Sequence, residues 1–316
     1  MAVRAPQLAG ISRRIEAAVR GAGNRDGPLV LAVSGGRDSM ALLHAFVRAA
    51  RGAVATVATF DHGTGPTATR AAELVADESL ALGVPVVIGT AEATGRSEAE
   101  WRHARRAFLQ DVSARSNAAV ATAHTRDDQV ETVFMRVLRN AGARGLAGLY
   151  AKTDVIRPLL EFSRDEVARY AADVGARWVE DPTNQSMRYF RNRVRRDLLP
   201  AIARVVPNFD AQLIGVAQQA GRWREQLDSV VSPVTRISPD GASVSVALDT
   251  LAAYSREELT SVWPAIAARV GLAMDWRGTE RAAAFTNRSR TGARIQLSGG
   301  WEIVRTRDRF ELRRWR

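Results

Sequence analysis

Short apolar runs alternate with amphipathic segments through the first half of this chain, and that alternation limits the folds available to it. The runs have the length of strands, whereas the segments between them place apolar residues at helical spacing. Alternating units of this kind predict βαβ connections, and hence a parallel sheet with helices on both faces. We predict strands at residues 29–33, 54–60, 84–88, 118–123 and 154–157, and helices at 39–50, 71–82, 97–114, 125–141 and 163–174.

The pattern changes after residue 200, which predicts a second structural part. Residues 202–231 are mostly helical in pattern, and residues 233–242 are predicted to form a linker or a turn region. Apolar and polar residues then alternate over 294–312, as in antiparallel strands. We therefore expect an α/β fold class with three parts: a sheet domain at 1–200, a helical connection at 201–232 and a small, basic α+β domain at 233–316.

Polar clusters follow three of the predicted strands, at residues 34–39, 61–63 and 124–128. The carboxyl ends of parallel strands meet at one edge of a sheet, and such sheets bind ligands there. We therefore expect the three clusters to contribute to a single site.

The first cluster, with the sequence SGGRDS from Ser34 to Ser39, links a predicted strand to a predicted helix. Its two glycines would let backbone amides approach a phosphate, and a helix N-terminus adds partial positive charge. The serine hydroxyls can donate hydrogen bonds, whereas the acid Asp38 would hold Mg²⁺ or orient the loop. The segment has neither the ending of a Walker loop nor the G-x-G-x-x-G of dinucleotide sites. A plain strand-to-helix turn is the structural alternative.

This segment resembles the PP-loop of the N-type ATP pyrophosphatases, whose pattern is S-G-G-x-D-S. Members of that superfamily cleave ATP between its α and β phosphates. The resemblance implies the adenine nucleotide alpha-hydrolase-like form of the α/β fold, with ATP as a co-substrate and Mg²⁺ as its partner.

Five further motifs resemble those of the tRNA(Ile)-lysidine synthases in order and spacing. They are Asp61-His62-Gly63, the segment from Glu98 to Arg105, the segment from His124 to Thr132, the turn from Asp181 to Asn184, and the segment from Arg191 to Arg195. The likeness is strong over residues 29–200 and weaker beyond them. Two positions depart from the family: Thr64-Gly65 replace the usual Leu-Arg after Asp-His-Gly, and Arg106 replaces an aromatic residue.

The resemblance implies that ATP adenylates the wobble cytidine of an isoleucine tRNA with a CAU anticodon, and that free lysine then displaces AMP. It implies catalytic roles for Asp38, Arg102, His124, Asp127 and Asp128, with Mg²⁺ held by Asp38 and Asp128. It assigns ATP binding to Ser34, Gly35, Gly36, Arg37, Asp38, Ser39, Asp61 and His62. It assigns lysine binding to Asp127, Glu131, Asp181 and Asn184, and tRNA binding to Arg105, Arg188, Arg191 and Arg195. The 1–200 domain would then be catalytic, and the 233–316 domain would bind tRNA.

From the residues alone, structural explanations of these motifs stay open. Arg102 and Arg105, one helical turn apart, can face one phosphate together or form a solvated face. The acids between residues 127 and 131 can bind a cation, or can simply favour a helix N-terminus. The arginines of residues 188–196 flank two aromatic residues, a combination that suits single-stranded RNA but also occurs on solvated surfaces.

The net charge of +11 favours a polyanionic partner such as nucleic acid. From Arg281 onward there are ten arginines and three acids, which predicts either a surface for the tRNA backbone or an ordinary small basic domain. The chain has no cysteine, so it carries no disulfide and no thiol chemistry. That absence argues against a tRNA thiolase of the same superfamily, which is the closest competing class of enzyme.

Two more classes of protein stay open, a small-molecule synthetase of the NAD or GMP type and a tRNA-binding module with an inactive ATP site. The positive charge disfavours the first, and the intact Asp38, His124, Asp127 and Asp128 disfavour the second. No run of 18 or more apolar residues occurs, so we expect no membrane contact and a cytoplasmic protein. The oligomeric state stays open, with a homodimer as one option.

Overall fold

The computed structural model describes residues 4–63, 65–91 and 98–315, without the side chains of residues 4–9, 98, 99, 184 and 185. In chain order the elements are α1 (Arg4–Gly23), β1 (Leu29–Ala32), α2 (Arg37–Ala49), β2 (Val54–Asp61), α3 (Pro66–Ala81), β3 (Val86–Thr90), α4 (Glu98–Arg115), β4 (Ala119–Thr122), α5 (Arg126–Leu138), α6 (Ala143–Leu146), β5 (Val155–Ile156), α7 (Arg164–Asp173), α8 (Phe190–Arg193), α9 (Leu199–Val205), α10 (Phe209–Val234), β6 (Thr235–Ile237), β7 (Ser243–Ala247), α11 (Leu248–Ala252), α12 (Arg256–Ala268), α13 (Trp276–Arg288), β8 (Arg294–Leu297), β9 (Trp301–Arg305) and β10 (Arg309–Arg314). Short 3₁₀ turns lie at Arg51–Ala53, Gly148–Tyr150 and Pro182–Gln185, and a π-helical turn lies at Val194–Leu198.

Contacts divide the chain into two units. The first contains residues 1–132 and 153–207, and the second contains residues 133–152 and 208–316. The functional division at residues 200 and 232 stays a prediction.

The first unit contains the parallel sheet that the sequence predicts. Its five strands lie in the order β3-β2-β1-β4-β5, and all neighbouring strands are parallel. The chain fills one side of β1 with β2 and β3, and then fills the other side with β4 and β5. The carboxyl ends of β1 and β4 therefore meet where the strand order reverses, which is where doubly wound sheets bind ligands.

The composition of β1 explains why helices cover both faces of this sheet. Leu29 and Leu31 pack into one core with Phe46 of α2, whereas Val30 packs into a second core with Val112 of α4. Successive residues of a strand point to opposite faces, so a strand covered on both sides is apolar throughout. The predicted α/β fold class is confirmed.

The second unit is built on an antiparallel sheet in the order β6-β7-β10-β9-β8. Strands β8, β9 and β10 confirm the antiparallel strands predicted over residues 294–312. Trp263 of α12 is fully buried beside Phe310 of β10, with ring centroids 5.9 Å apart. Its indole N–H donates to Thr286 Oγ1 at 2.8 Å, so the one polar atom of this ring is satisfied within an apolar core of its own.

Residues 233–242 contain a turn, which is one of the two predicted options, and they do not form a linker. Helix α10 extends through Val234, and Thr235–Ile237 then forms β6, which pairs with β7. The turn residues Pro239-Asp240-Gly241 occupy only the hairpin between these strands, where the Gly241 N–H donates to the Ser238 carbonyl at 2.9 Å. Residues of this kind indicate that the chain reverses direction, and they occur in the turn of a hairpin as well as in a linker.

Helix α1 is an element that the apolar pattern does not predict. Ile15 and Val19 on its inner face are fully buried in the core that contains Leu31. Glu16, Ala17 and Ala18 separate these two residues, and arginines, glycines and alanines make up much of the rest of the helix, so its apolar stripe is narrow. No helix in the described ranges is long and apolar enough to cross a bilayer.

Candidate active site

The turn after β1 depends on a glycine. Gly35 has φ of +78°, and a Cβ atom there would lie 2.7 Å from the Ala71 carbonyl oxygen. The carbonyl of Gly35 also accepts a hydrogen bond from Val179 N at 2.9 Å. The turn is therefore pressed against α3 and tied to the segment before residue 181, and another residue at this position would displace it.

Hydrogen bonds inside the loop hold it in shape. Ser39 Oγ donates to the Gly36 carbonyl at 2.8 Å and accepts from Ser34 N at 3.1 Å. Ser39 is also buried, so its hydroxyl closes the loop. The start of α2 leaves N–H groups without helical partners beside the loop, which is the usual arrangement at a phosphate site.

An apolar cavity of about 410 Å³ opens on one side of this loop. Its walls include Ala58 and Phe60 of β2, Ala71 of α3, Leu109 of α4 and Pro182. A mostly apolar cavity beside a phosphate-type loop has the character of a nucleoside site.

Asp61 and His62 contribute to this cavity in different ways. The Asp61 carboxylate accepts from Gly63 N at 2.8 Å and from Thr69 Oγ1 at 2.9 Å, so it fixes the turn to α3. His62 lines the cavity, and burial, together with the nearby Arg105, lowers the pKa of its imidazole. Asp61 thus fixes the turn that carries His62, and the lowered pKa favours the neutral imidazole. Thr64, one of the two departures from the family pattern, lies outside the described residues.

A second cavity, of about 460 Å³, lies on the other side of the loop and is strongly charged. Its walls include Asp38, His124, Asp128, Arg164 and Arg195. The two cavities share five lining residues, which are Ala32, Ser34, Gly36, Arg105 and Val179. A molecule with an apolar end and an anionic end could therefore lie across the loop and occupy both.

Arg164 connects the acids of the charged cavity, although none of the sequence motifs contains this residue. Its backbone N–H donates to Asp127 Oδ2 at 2.8 Å, and its guanidinium donates to Asp128 Oδ1 at 2.9 Å and to Glu131 Oε1 at 3.2 Å. Its Nε also lies 3.7 Å from Asp38 Oδ2. Only the position of Arg164 could have indicated a role in the site, because it directly follows Ser163, the capping residue of the helix after β5.

Glu131 is enclosed by arginines. Arg195 Nε donates to its Oε1 at 2.6 Å and Arg191 Nε donates to its Oε2 at 2.7 Å, in addition to Arg164. Burial would raise the pKa of Glu131, but the three guanidiniums outweigh burial and lower it. Glu131, which is predicted to bind lysine, is thus paired with Arg191 and Arg195, which are predicted to bind tRNA.

Asp38 and Asp128 differ in how fully their charge is compensated. Asp128 accepts hydrogen bonds from Thr125, Arg164 and Arg191, and these cations outweigh burial and lower its pKa. Asp38 has only longer contacts, to Arg37 at 3.5 Å and Arg164 at 3.7 Å. Burial therefore raises the pKa of Asp38, and a cation at this carboxylate would reverse that penalty.

This difference tests the predicted Mg²⁺ site. In the described part of the chain, no group of three or more carboxylate or imidazole side chains could by itself hold a metal ion. Mg²⁺ in nucleotide sites needs only one or two carboxylates, with phosphate oxygens and water completing its shell. Asp38 fits that role, whereas the oxygens of Asp128 already accept hydrogen bonds.

His124 is held as a neutral imidazole. Its Nδ1 lies 2.8 Å from Thr122 Oγ1. Burial lowers its pKa to about 4, and Arg157, Arg191 and Arg105 add to that effect against the opposing charge of Asp128. A ring with this pKa offers a hydrogen-bond acceptor at neutral pH but binds a proton weakly.

Arg105 and Arg102, the two predicted helical arginines, have different surroundings. Arg105 lines both cavities, and no carboxylate among the described residues lies within ion-pair distance of it. Burial lowers the pKa of its guanidinium, and the neighbouring Arg102 lowers it further. Arg102 is exposed and lines neither cavity.

The π-helical turn brings two consecutive arginines to the charged cavity. Arg195 and Arg196 both line it, and turns of this kind are common at functional sites. Arg195 is tied to Glu131, whereas Arg196 is exposed and has no carboxylate partner among the described residues. Arg105 and Arg196 are thus the guanidiniums best placed to meet an anionic ligand.

Of the remaining predicted residues, only Asp181 is seen to line a cavity in the described part of the chain. Asp181 lines the apolar cavity, and its Oδ1 accepts from Thr183 N at 2.8 Å. The side chain of Asn184 lies outside the described part of the chain. Arg188 is exposed and lines neither cavity.

A sheet in the order 3-2-1-4-5, with a glycine turn at its switch point and a nucleoside-sized cavity beside that turn, defines a PP-loop protein. The family model described as a PP-loop domain matches residues 9–202. At the level of the whole chain, a tRNA(Ile)-lysidine synthase of Salinispora arenicola (strain CNS-205) is 34% identical over 99% of this chain and 98% of its own. This chain belongs to the tRNA(Ile)-lysidine synthase family.

Two further proteins, one similar in sequence and one similar in fold, were compared with this chain. A tRNA(Ile)-lysidine synthase of Ruegeria pomeroyi (strain ATCC 700808 / DSM 15171 / DSS-3) is 39% identical over 63% of this chain and 50% of its own. The solved structure of a U34-tRNA thiolase from Methanococcus maripaludis, with its 4Fe–4S cluster, has a TM-score of 0.56. It is 18% identical and covers 68% of this chain and 80% of its own, which establishes a common fold and nothing further.

Proposed function

We propose that this protein joins free lysine to C2 of the wobble cytidine of an isoleucine tRNA with a CAU anticodon. In the first step the cytidine O2 attacks the α-phosphate of ATP, and pyrophosphate leaves. In the second step the side-chain amine of lysine attacks C2, and AMP leaves with the former O2. The amine attacks in its unprotonated form and releases one proton to solvent as the C2–N bond forms, and the product is lysidine, which pairs with adenine.

The pair of cavities that meet at the PP-loop carries this proposal. An adenosine fits the apolar cavity, and its phosphates would then cross the loop beside Gly36 into the charged cavity. Arg105 borders both cavities, so its guanidinium lies where the α-phosphate would pass. An unpaired guanidinium stabilises negative charge that develops on a phosphoryl group under attack.

Asp38 is the residue that we expect to hold Mg²⁺, because its contacts with cations are longer than those of Asp128, the other predicted metal ligand. When bound there, Mg²⁺ would neutralise charge on the phosphates of ATP. Asp128 would act through Arg164, which it shares with Asp38.

His124 is proposed to orient a reacting group. A free lysine amine has a pKa of about 10.4, whereas that of His124 is lowered to about 4, so this imidazole is a poor acceptor for the lysine proton. Its neutral ring can accept a hydrogen bond from the cytidine amino group or from the amine. The roles of Asp127, Glu131, Asp181 and Asn184 toward lysine stay predictions.

A direct assay tests the reaction. The protein is incubated with ATP, Mg²⁺, labelled lysine and isoleucine tRNA with a CAU anticodon, and label is measured in the tRNA. A methionine tRNA with the same anticodon and an isoleucine tRNA lacking the wobble cytidine serve as controls. We expect label in the first tRNA alone; labelling of tRNA by other amino acids but not by lysine would contradict the assignment.

An exchange of one carboxylate tests the ATP site in the same assay. Asp38→Asn should lower the rate of lysidine formation by at least about 100-fold, because such losses follow removal of a group that stabilises transition-state charge. Asp77→Asn, the same exchange on the exposed side of α3, is the matched control and should keep its activity. Equal rates for the two variants would remove Asp38 from the site.

A thiolase activity is disfavoured because the chain contains no cysteine to bind a cluster or carry sulfur. A tRNA-binding module without catalysis is disfavoured by the intact loop and by the compensated acids around it.

Since the proposed substrate is a tRNA, we place the activity in the cytoplasm.

A further inference from the structure

The second unit contains a cavity of about 880 Å³ that the proposed reaction does not use. One wall carries Arg136, Arg139 and Arg144, and helix α10 adds Trp223 and Arg224. Trp276, at the start of α13, stands at its edge with 67% of its surface exposed.

Arginines of this wall outnumber the carboxylates that compensate them. Arg144 donates to both oxygens of Asp228, at 2.7 and 3.2 Å, and Arg224 lies 3.8 Å from the same carboxylate. Arg136 donates to the Gly145 carbonyl. Burial lowers the pKa of Arg224, and the nearby Arg144 and Arg136 lower it further. Three clustered guanidiniums and one carboxylate leave an excess of positive charge that an anion would offset.

The acids on the opposite wall are engaged elsewhere. Asp275 Oδ1 accepts from Gly278 N at 2.6 Å as the N-cap of α13, and Glu280 pairs with Arg256 at 3.3 Å. Among the described residues, no ion pair joins either of these carboxylates to the arginine wall.

The exposed Trp276 supplies the second element of a nucleotide site. An indole offers a flat face on which any base can stack, and a cavity that combines such a face with arginines suits one phosphate and one unstacked base. Arginine is the better residue for this purpose because its planar fork can bond two phosphate oxygens.

We propose that this cavity binds a nucleotide of the substrate tRNA outside the wobble position, with its phosphate at the arginine wall and its base against Trp276. This inference rests on the proposed function, since it takes the ligand to be part of the same tRNA. It places RNA recognition in residues 136–145, 223–224 and 276, apart from the basic segment after Arg281.

Paired variants test the assignment, each with a control at an exposed position of α10. Trp276→Ala is compared with Val230→Ala, which shortens another exposed apolar side chain of the unit and lies outside both the cavity and the predicted tRNA-binding segment. Arg224→Gln is compared with Arg222→Gln, which alters an exposed arginine of α10 that does not line it either. The dissociation constant of the tRNA is measured by filter binding at several salt concentrations, and lysidine formation is followed at saturating ATP and lysine.

We expect Trp276→Ala to weaken tRNA binding by at least about fivefold, the lower range for loss of one stacked base. Trp276→Tyr, which keeps a stacking ring, should restore most of that loss. Arg224→Gln should reduce the slope of log K against log salt by roughly 0.7–0.9, as for one lost phosphate contact. Both exchanges should raise KM for tRNA and leave kcat unchanged, and both control variants should match the wild type.

The outcomes separate this inference from the proposed function. If the wild type forms lysidine but the cavity variants bind tRNA like their controls, the cavity assignment is wrong and the function stands. If Trp276→Tyr binds as weakly as Trp276→Ala although both melt at the wild-type temperature, stacking is refuted. If the wild type binds this tRNA but forms no lysidine, the proposed function fails while the cavity variants still report on RNA binding.

Discussion

Gly35 is subject to two constraints, a close steric contact and a positive φ, and its neighbour Gly36 is subject to neither. Gly35→Ala introduces a Cβ atom 2.7 Å from the Ala71 carbonyl and forces a side chain into φ of +78°. A strained residue of this kind costs about 1–3 kcal/mol. We therefore expect lower stability in urea unfolding and loss of ATP binding by calorimetry.

Gly36→Ala is the comparison for that prediction. Gly36 has φ of −78°, and its Cβ atom would meet nothing closer than Ser34 Oγ at 3.7 Å. Stability should therefore stay near that of the wild type, and any loss of ATP binding would reflect crowding of the phosphates. Equal destabilisation by both exchanges would contradict the steric argument.

His124 provides a pH-dependent prediction. Its folded pKa is lowered to about 4, whereas in the unfolded chain it is about 6.5. Between these values the unfolded state binds the proton and the folded state does not, so this histidine lowers the stability of the fold as pH falls from about 6.5 to about 4. NMR titration of the four histidines, with His124→Gln to assign the signal, measures the pKa; a value above 6 would refute this picture.

Arg164 is predicted to be essential for the shape of the charged cavity. Removing one partner from a buried ion-pair network costs about 3–5 kcal/mol, and here Arg164→Gln would leave Asp128 and Glu131 with only their other arginines. We expect lower stability in chemical unfolding and a rate of lysidine formation at least about 100-fold lower. Arg169→Gln, an exposed change on the same helix, should affect neither, and a similar loss there would point to a general effect of charge.

At the scale of elements, two capping boxes offer a matched pair. Ser163 with Glu166 caps α7 in the first unit, and Ser255 with Glu258 caps α12 in the second. Either serine exchanged for alanine should cost about 0.5–2 kcal/mol in unfolding experiments. Only Ser163→Ala should also lower kcat/KM, because Arg164 is the first residue of α7; loss of activity in Ser255→Ala instead would refute this link.

The elements of the first unit follow from the sequence because local pattern determines them. Each predicted strand of the parallel sheet is confirmed within a few residues, since a strand buried on both faces is apolar along its whole length. The same rule cannot predict α1, because its apolar stripe is narrow. Nor can it predict β6, because its three residues are recognisable as a strand only through their pairing with β7. Pairing partners are a property of the folded chain.

The predicted site residues also divide into those that local sequence pattern places and those whose contacts form only in the folded chain. The glycine turn and the strand ends could be predicted, because βαβ topology brings the ends of β1 and β4 together. The arginine contacts of Glu131 could not, since Arg191 lies 60 residues further along the chain. For Ser39, Asp61 and Asp127 the folded chain provides intramolecular partners, so their hydrogen bonds shape the site.

At the scale of the whole molecule, the two units each contain an apolar core. Separate cores permit separate unfolding transitions, so the stability changes predicted above are best measured with probes in each unit. The chain has seven tryptophans, so variants that keep only Trp178, which packs against the core of the first unit, or only Trp263, which is buried in the second, would give fluorescence one reporter for each unit.

The arginines around Glu131 have a consequence for the order in which substrates bind. In the free protein this carboxylate is occupied by Arg164, Arg191 and Arg195, so a lysine ammonium can reach it only when a guanidinium leaves. A tRNA phosphate gives Arg191 or Arg195 another partner. We therefore expect tRNA to bind before lysine, with each strengthening the binding of the other.

Calorimetry of lysine binding, with and without tRNA, measures this coupling. Lysine should bind at least about fivefold more tightly when tRNA is present, the lower range for such linkage, and Arg191→Gln should reduce that dependence. Identical affinities in both conditions would refute an ordered mechanism. If the order holds, the protein commits its amino acid only after the RNA to be modified is in place.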